Sequence, residues 1–469
     1  MYKFTMPAEE WDELNPNKQA IRRLIEKHIK FSKDLVNKKM YYEGKHHILE
    51  ETDRKVKLVC NHAKDITDTA SSYFIGNPVS YKSESDITPL MDAFEQAGAD
   101  EIDGDNGLDL SIYGLAYEYD YAKEGESELT IKNLPPEHTF MVHDDTIEEN
   151  ELFAVYYYIK KNDAGDTSPV YVATTLTKNY RYVLNIQAID GPQALIEEPE
   201  AHYMGEVPVI EYQNNKLAIG DYELQIPLID AYNSLMSDRI TDKNQFIDSI
   251  LALYGFMLGD DESEDAEGKT AAQRMREERL LEMPADAKAE YITRTFDESG
   301  VEILKKAIEQ DIHKFSHIPC MTDEAFGGNV SGVAMEFKLL GMENITKIKT
   351  RYYKKGLRKR IRIFANFLDI KGIKVDISSI TPIFTRAMPK NLVEISQIVS
   401  NLWGKVGKKT LLSQIPFVED VEEELKAVEE EERKNLKRQQ EMFAGTGNVP
   451  PDGEKPGEEP PEKDEIDEQ

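Results

Sequence analysis

A helical pattern of unusual length constrains the fold of this chain more than any other feature. The residues from roughly Ser331 to Leu368 predict a helix far longer than the usual three turns or so. Gly341 and Gly356 fall inside this pattern, and glycine is a common site of helix bending. We therefore predict a long helix that is broken near both glycines and kinked at Gly341.

The same predicted helix carries a basic island. Between Lys338 and Arg362, ten lysines or arginines stand against one acid, Glu343, although the whole chain has a formal charge of −31. Such a local excess of one sign indicates a negatively charged neighbour.

Two further helices are predicted upstream, on either side of an insert. The residues after Pro227 predict a helix of about thirty residues, and Asp297 to His317 predict a second one that ends before Pro319. Between them lie six acids in the eight positions 260–267 and an extended segment around 280–295. This pattern predicts an exposed, β-containing insert between two long helices.

The remaining segments indicate an α+β fold with two or more packed modules, because 469 residues are too many for one ordinary core. Short runs rich in Tyr, Val, Thr and Ile between 117 and 212 predict an antiparallel β region. Residues 444–469 are rich in Gly, Pro and acids, which predicts disorder. Other helices are predicted at 17–40, 55–73, 87–97, 101–116, 389–402, 407–413 and 419–442, and a strand-like run at 373–386.

Composition argues against several classes of protein. A charge of −31 disfavours tight DNA binding, and it fits either simple solubility or a surface past which DNA slides without sticking. The only cysteines, Cys60 and Cys320, offer no disulfide framework and no paired-thiolate metal site, which suits a reducing cytoplasm. The amino terminus lacks a signal-peptide pattern, and the apolar run Phe246–Gly259 is short for a bilayer. We therefore expect no membrane segment.

No pattern in the sequence indicates catalysis. His313 and His317 have the i, i+4 spacing of a zinc pair, but a third ligand is missing. The Gly327-Gly328 pair is more simply a hinge than a phosphate site, and Asp144-Asp145 has no base or nucleophile motif beside it. We predict no catalytic residue, no metal and no cofactor, and treat an enzyme acting on nucleic acid or phosphate esters as the weaker alternative.

Several segments, taken in their order and spacing, resemble the portal family of siphoviruses that infect Gram-positive bacteria. The resemblance spans nearly the whole chain. Its segments are Tyr41-Tyr42-Glu43-Gly44-Lys45-His46, the run AKDITDTASSYFIGNPVSY that ends at Tyr81, Pro208 to Asn214 followed by LIDAYNSLMSD, FGGNVSGVAMEFKLLGMEN, and FTRAMPKNLVEISQ.

The resemblance implies a portal fold with an α/β wing, a two-helix stem, a small β-containing clip insert, a long kinked wing helix and a helical crown. The implied boundaries are 1–225 for the wing, 226–258 and 297–318 for the stem helices, and 259–296 for the clip. They continue with 319–388 for a tunnel loop, the long helix and a wing strand, 389–443 for the crown, and 444–469 for a disordered acidic tail.

The resemblance also implies a ring of about twelve copies, at one capsid vertex of the virion, that is assembled in the host cytoplasm. Its implied partners are the terminase, the head-tail adaptor, capsid and scaffolding proteins, and double-stranded DNA in the channel. The implied DNA-facing loop has its tip at Asn329, Val330 and Ser331. A clip surface for a partner would contain Asp260, Asp261 and Glu262.

For the basic island, two roles remain open: contact with acidic patches on the adjacent subunit, or electrostatic contact with DNA. The residues chosen for either role are Lys347, Lys349, Arg351, Lys354 and Lys355. The alternative to a portal is a non-enzymatic phage scaffold or interaction protein. Such a protein would share the acidity but not the helix-insert-helix order that precedes the Gly-Gly segment.

Overall fold

The computed structural model contains two compact units, Met1–Ala387 and Met388–Gln469. It describes residues 3–160, 170–187, 194–247, 250–254, 288–292, 298–321, 332–386, 392–413, 415, 418 and 421–444. Its helices are α1 Lys18–Tyr42, α2 His62–Ile75, α3 Thr88–Gln96, α4 Ala99–Tyr113, α5 Ile226–Ile247, α6 Glu298–Ser316, α7 Gly332–Ile370, α8 Leu392–Leu402, α9 Lys408–Leu412 and α10 Val421–Ala444.

Fourteen strands accompany these helices in the described ranges, which confirms the predicted α+β class. The strands are β1 Phe4–Met6, β2 Ser80–Lys82, β3 Leu115–Ala122, β4 Leu129–Leu134, β5 Thr139–Asp144, β6 Glu151–Lys160, β7 Val170–Leu176, β8 Tyr180–Gln187, β9 Ala194–Leu195, β10 Glu200–Ala201, β11 Val209–Gln213, β12 Ile250–Tyr254, β13 Lys288–Ile292 and β14 Thr381–Ile383.

The predicted antiparallel β region is confirmed between β3 and β11. A seven-stranded sheet has the order β1-β5-β6-β7-β8-β10, with β9 on β8, and a three-stranded sheet has the order β11-β3-β4. Every pairing in these sheets is antiparallel except that of β1 with β5. Helix α1 covers one face of the larger sheet, where Ile21 and Ile25 pack with Phe140 and Phe153.

Helix α2 begins later than the sequence predicts. The prediction placed its start at 55, but the helix starts at His62, where the Asn61 side chain accepts a hydrogen bond from the Lys64 amide at 3.0 Å. The residues before it form no helix, and the Leu58 and Cys60 amides donate instead to Ser237 and Asn233 of α5. Tertiary hydrogen bonds therefore replace about two predicted helical turns.

Helix α5 is shorter than predicted. The prediction carried it to residue 258, but it ends at Ile247, and Ile250–Tyr254 forms a strand that pairs antiparallel with Lys288–Ile292. A short apolar run suits a helix or a strand equally well, and its distant partner decides which one forms. The β-containing character predicted for the insert is confirmed, and α6 closely matches its predicted bounds.

The long helix α7 runs for 39 residues, and the predicted breaks near Gly341 and Gly356 are wrong. A Cβ atom on Gly356 would lie 2.3 Å from Cε1 of Tyr212, so the tyrosine ring of β11 packs directly on the helix backbone. The glycine is therefore required for close approach rather than for bending. The kink at Gly341 stays a prediction.

Other carboxy-terminal predictions agree with the structure more closely. Only Thr381–Ile383 of the strand-like run forms a strand, which pairs with β2. In the second unit α8, α9 and α10 lie where helices are predicted, and Lys408 of α9 contacts Glu432 of α10 at 2.8 Å. The predicted disordered tail, apart from Ala444, lies outside the described residues.

Gly356→Ala is expected to destabilise the first unit by about 1–3 kcal/mol, because the added methyl group overlaps the Tyr212 ring. Gly104→Ala is the matched control, since Gly104 also lies inside a helix but has no atom within 4 Å of the added Cβ. The control is expected to stabilise the protein slightly through helix propensity. Thermal denaturation followed by circular dichroism measures both, and equal melting temperatures for the two variants would contradict the packing argument.

Candidate functional site

Helix α7 presents its basic residues on two different faces. Because an α-helix turns about 100° per residue, Lys347, Arg351, Lys354, Lys355 and Arg358 fall on one face. We call these five residues the basic stripe; all are exposed except Lys354, which is half-buried. Lys349, Tyr353, Arg360 and Phe364 fall on the opposite face and are buried. The helical phase therefore separates basic residues on the surface from those in the core.

The buried face contains an ion cluster around Arg360, which is 0% exposed. Its Nε donates to Glu118 Oε1 of β3 at 2.6 Å, and its Nη2 donates to Asp103 Oδ1 of α4 at 2.6 Å. Tyr353 donates to the same Asp103 oxygen at 2.5 Å, and Asn106 donates to Glu118 at 2.8 Å. Burial raises the pKa of Asp103, and the guanidinium opposes that rise. The cluster joins α7 to α4 and β3.

Two lysines of the island are also neutralised inside the chain. The Lys349 ammonium lies 2.6 Å from Asp221 Oδ2, and both side chains are nearly inaccessible. Lys359 pairs with Glu151 and donates to the carbonyl of Val209 at 2.7 Å. The predicted role of Lys349 as a contact to DNA or another subunit does not fit this position, because its charge is enclosed and paired. The sequence predicts a negatively charged neighbour for the basic island, and for Lys349 and Lys359 that neighbour is a carboxylate of the same chain.

The basic stripe has weaker internal partners. Lys347 lies 3.7 Å from Glu343, and Lys354 lies over the Phe384 ring at 5.7 Å from its centroid. Arg351, Lys355 and Arg358 have no carboxylate within 4.0 Å among the residues that the structure describes. These exposed cations can bind an external anionic group.

A cleft of about 620 Å³ borders the carboxy-terminal end of the stripe. Lys355 and Arg358 line it together with Lys216 and with the acids Glu148 and Glu211. Because both signs of charge line this cleft, it is not a site that would select anionic ligands alone.

Other predicted contact residues lie outside the described part of the chain. Asn329, Val330 and Ser331 fall in the segment 322–331, and Asp260, Asp261 and Glu262 fall in the segment 255–287. Their roles as a DNA-facing loop and as a clip surface stay predictions.

The His313 and His317 pair has a structural explanation in the fold. His313 is buried, and its Nδ1 lies 3.0 Å from the carbonyl oxygen of Ile318. His317 follows the end of α6 with a φ of 60°. Within the described ranges, no group of three or more His, Cys, Asp or Glu side chains is arranged to hold a metal ion.

Asp144, which has no base or nucleophile motif beside it in the sequence, has a structural role in the fold. Its carboxylate accepts hydrogen bonds from the amides of Thr146 and Asn150, both at 3.1 Å, and so closes the turn between β5 and β6.

Where the chain is described, none of its helices has the length and apolar character that a membrane span requires.

Sequence reasoning missed the acidic half of the Arg360 cluster. Asp103 lies at helical spacing with Asn106, Gly107 and Leu110, all of them buried on one face of α4. A carboxylate on the core-facing side of a helix is costly to bury unless it is paired or hydrogen-bonded, so a buried polar partner for Asp103 could have been expected from the sequence.

Comparison with known proteins places the chain among phage proteins. The family model described as "Phage portal protein, SPP1 Gp6-like" matches residues 21–438. The chain is 25% identical over 418 residues to the portal protein of Bacillus phage SPP1, covering 84% of this chain and 80% of that relative. It is 26% identical over 250 residues to the portal protein of Clostridium phage phiCD119, covering 50% of each.

Arg360→Met is expected to destabilise the first unit by about 3–5 kcal/mol, because Asp103 and Glu118 stay buried without their cation. The loss should be smaller at pH 5 than at pH 8. Buried carboxylates without a cation have raised pKa values, so the stability that their protonated forms provide is lost as the pH rises. Denaturant unfolding at the two pH values measures the effect.

Arg23→Met is the matched control, since it removes the same charge from an exposed position on α1. Its expected effect lies within about 0.5 kcal/mol at both pH values. Equal losses for the two variants would contradict the assignment of Arg360 as the buried ion-pair partner.

Proposed function

Because the chain belongs to the SPP1 Gp6-like family of phage portal proteins, we propose that it forms a ring at one capsid vertex through which DNA is packaged and ejected. The observation that carries the proposal is the family match across residues 21–438, together with two relatives that are themselves portal proteins. Phage portal proteins are components of the virion. The ring would contain about twelve copies joined by head-to-tail contacts, which close when the rotation fits.

The described elements support an assignment of the parts of a portal subunit. We assign the wing to the region from α1 to β11 with α7 and β14, the stem to α5 and α6, and the crown to the helices α8 to α10. The insert that would form the clip includes Ile250–Tyr254, because these residues form a strand and do not continue α5. The tunnel loop would be the segment between α6 and α7.

The proposed partners follow from this assignment. The clip, with Asp260, Asp261 and Glu262, would meet the terminase during packaging and the head-tail adaptor afterwards. Asn329, Val330 and Ser331 would face DNA in the channel, and the wing and crown would meet capsid and scaffolding proteins. Assembly would take place in the host cytoplasm.

A channel for moving DNA favours an acidic subunit with few phosphate contacts. Each phosphate that a protein neutralises adds salt-dependent affinity, which would hold the DNA in place. The formal charge of −31 per chain supports a channel that DNA slides through. We further propose that the chain catalyses no reaction, and that ATP hydrolysis during packaging belongs to the terminase.

Of the two roles left open for the basic island, we propose contact with the adjacent subunit. The argument is that exposed cations facing the channel would add phosphate contacts, whereas at a subunit boundary they would offset the acidity of the neighbouring copy. Lys347, Arg351, Lys354 and Lys355 keep this role, and Arg358 joins them because it is exposed on the same helical face.

The proposal predicts that the purified full chain assembles into a closed ring of about twelve subunits with a central hole. Light scattering gives the mass, and negative-stain imaging gives the symmetry. Both are measured at several salt concentrations, because salt screens charged interfaces. A stable monomer or dimer under all conditions would contradict the ring and favour a non-enzymatic scaffold or interaction protein of the phage.

A further inference from the structure

A ring of identical subunits requires each copy to present two different surfaces that fit each other. We propose that the basic stripe of α7 in one copy docks on an acidic face formed by α3 and α4 in the next copy. This inference rests on the proposed ring and names the surfaces that join it. The acidic face consists of Asp92, Glu95, Asp100, Glu101 and Asp105.

All five carboxylates of the acidic face are exposed. Among the residues that the structure describes, none of the five has a cation within 4.0 Å, whereas acids elsewhere on the chain commonly have one. Partial burial, together with Glu101 and Glu95, raises the pKa of Asp100. The acidic face therefore holds mutually repelling charges that a cation from outside would stabilise.

The acidic face also contains a cleft that suits a long basic side chain. The cleft has a volume of about 320 Å³ and is lined by Glu95, Asp100 and Glu101. Tyr81 and Phe94 belong to the same lining. An arginine could lay its aliphatic stem on the accessible part of Tyr81 while the carboxylates bind its N–H groups.

The two surfaces lie on opposite sides of one layer of the subunit. Arg360 of α7 binds Asp103 of α4, so the Arg360 side of one helix faces the Asp103 side of the other. Arg358 is two residues from Arg360, which is about 200° around α7. Glu101 and Asp105 are each two residues from Asp103, and so lie about 200° around α4.

This arrangement matches the requirement of head-to-tail assembly. The order across the layer is basic stripe, α7, the Arg360 cluster, α4 and acidic face. A copy placed beside another in the same orientation would bring the stripe of one towards the acidic face of the next. Two surfaces on the same side would instead favour a two-fold dimer, which does not extend into a ring.

Charge reversal on either surface tests the proposed contact. The stripe variant carries Arg351→Glu, Lys355→Glu and Arg358→Glu, and the face variant carries Glu95→Arg, Glu101→Arg and Asp105→Arg. Each alone places like charges opposite one another, so the concentration for half-assembly should rise by on the order of a hundredfold. Light scattering and negative-stain imaging of the full chain measure ring formation.

Mixing the two variants supplies the decisive readout. The acidic stripe of one variant then meets the basic face of the other, and the reverse holds at the next boundary, so alternating rings should form. A chain that carries all six substitutions should also form rings on its own. A merely structural defect would not be repaired by mixing. Restoration of rings therefore requires the two surfaces to contact each other.

Two controls accompany these variants. Lys27→Glu, Lys30→Glu and Lys33→Glu change the same number of exposed charges on α1 and should leave ring formation unchanged. Circular dichroism and melting temperatures of the unassembled variants should match those of the unassembled wild-type protein, because all substituted residues are exposed.

Each remaining outcome has a definite meaning. A wild-type chain that forms no ring would contradict the proposed function itself. Wild-type rings that persist in both variants would overturn this inference alone, as would variants that lose the ring and do not regain it on mixing. Rings of the stripe variant that form normally but bind double-stranded DNA more weakly would instead assign the stripe to DNA.

Discussion

The Arg360 cluster is the interaction on which the rest of the first unit depends. One guanidinium, fully withdrawn from water, donates to a carboxylate from α4 and to another from β3, and Tyr353 donates a further hydrogen bond to the α4 carboxylate, Asp103. Two carboxylates buried with one arginine are tolerated only when their hydrogen bonds are satisfied in a fixed geometry. The cluster therefore fixes both the position and the rotation of the long helix against the helices and sheet that it crosses.

The rotation of α7 determines which of its basic residues are available to other molecules. With Arg360 facing α4, Lys349 is brought to Asp221 and Lys359 to Glu151, while Arg351, Lys355 and Arg358 remain at the surface. A single helical phase thus divides a continuous basic segment into internal and external charges. The acidic residues of α4 are divided in the same way, with Asp103 inside and Glu101 and Asp105 outside.

The sequence predicted features that depend on local patterns and missed those that depend on distant partners. The bounds of α1, α3 and α6 follow from apolar spacing, so they were predictable to within a few residues. The end of α5 was not, because Ile250–Tyr254 becomes a strand only through its pairing with β13. The burial and the partners of Lys349 and Arg360 were also not predictable, since Asp221 and Asp103 lie 128 and 257 residues away along the chain.

The contact of Gly356 with Tyr212 has a mechanical consequence. A tyrosine ring set directly against a helix backbone, with no side chain between them, leaves no compressible material at that point. Helix α7 therefore cannot slide or roll over strand β11 without lifting off it. A displacement of either end of this helix is therefore expected to move strand β11 and its sheet together with the helix, as one rigid body.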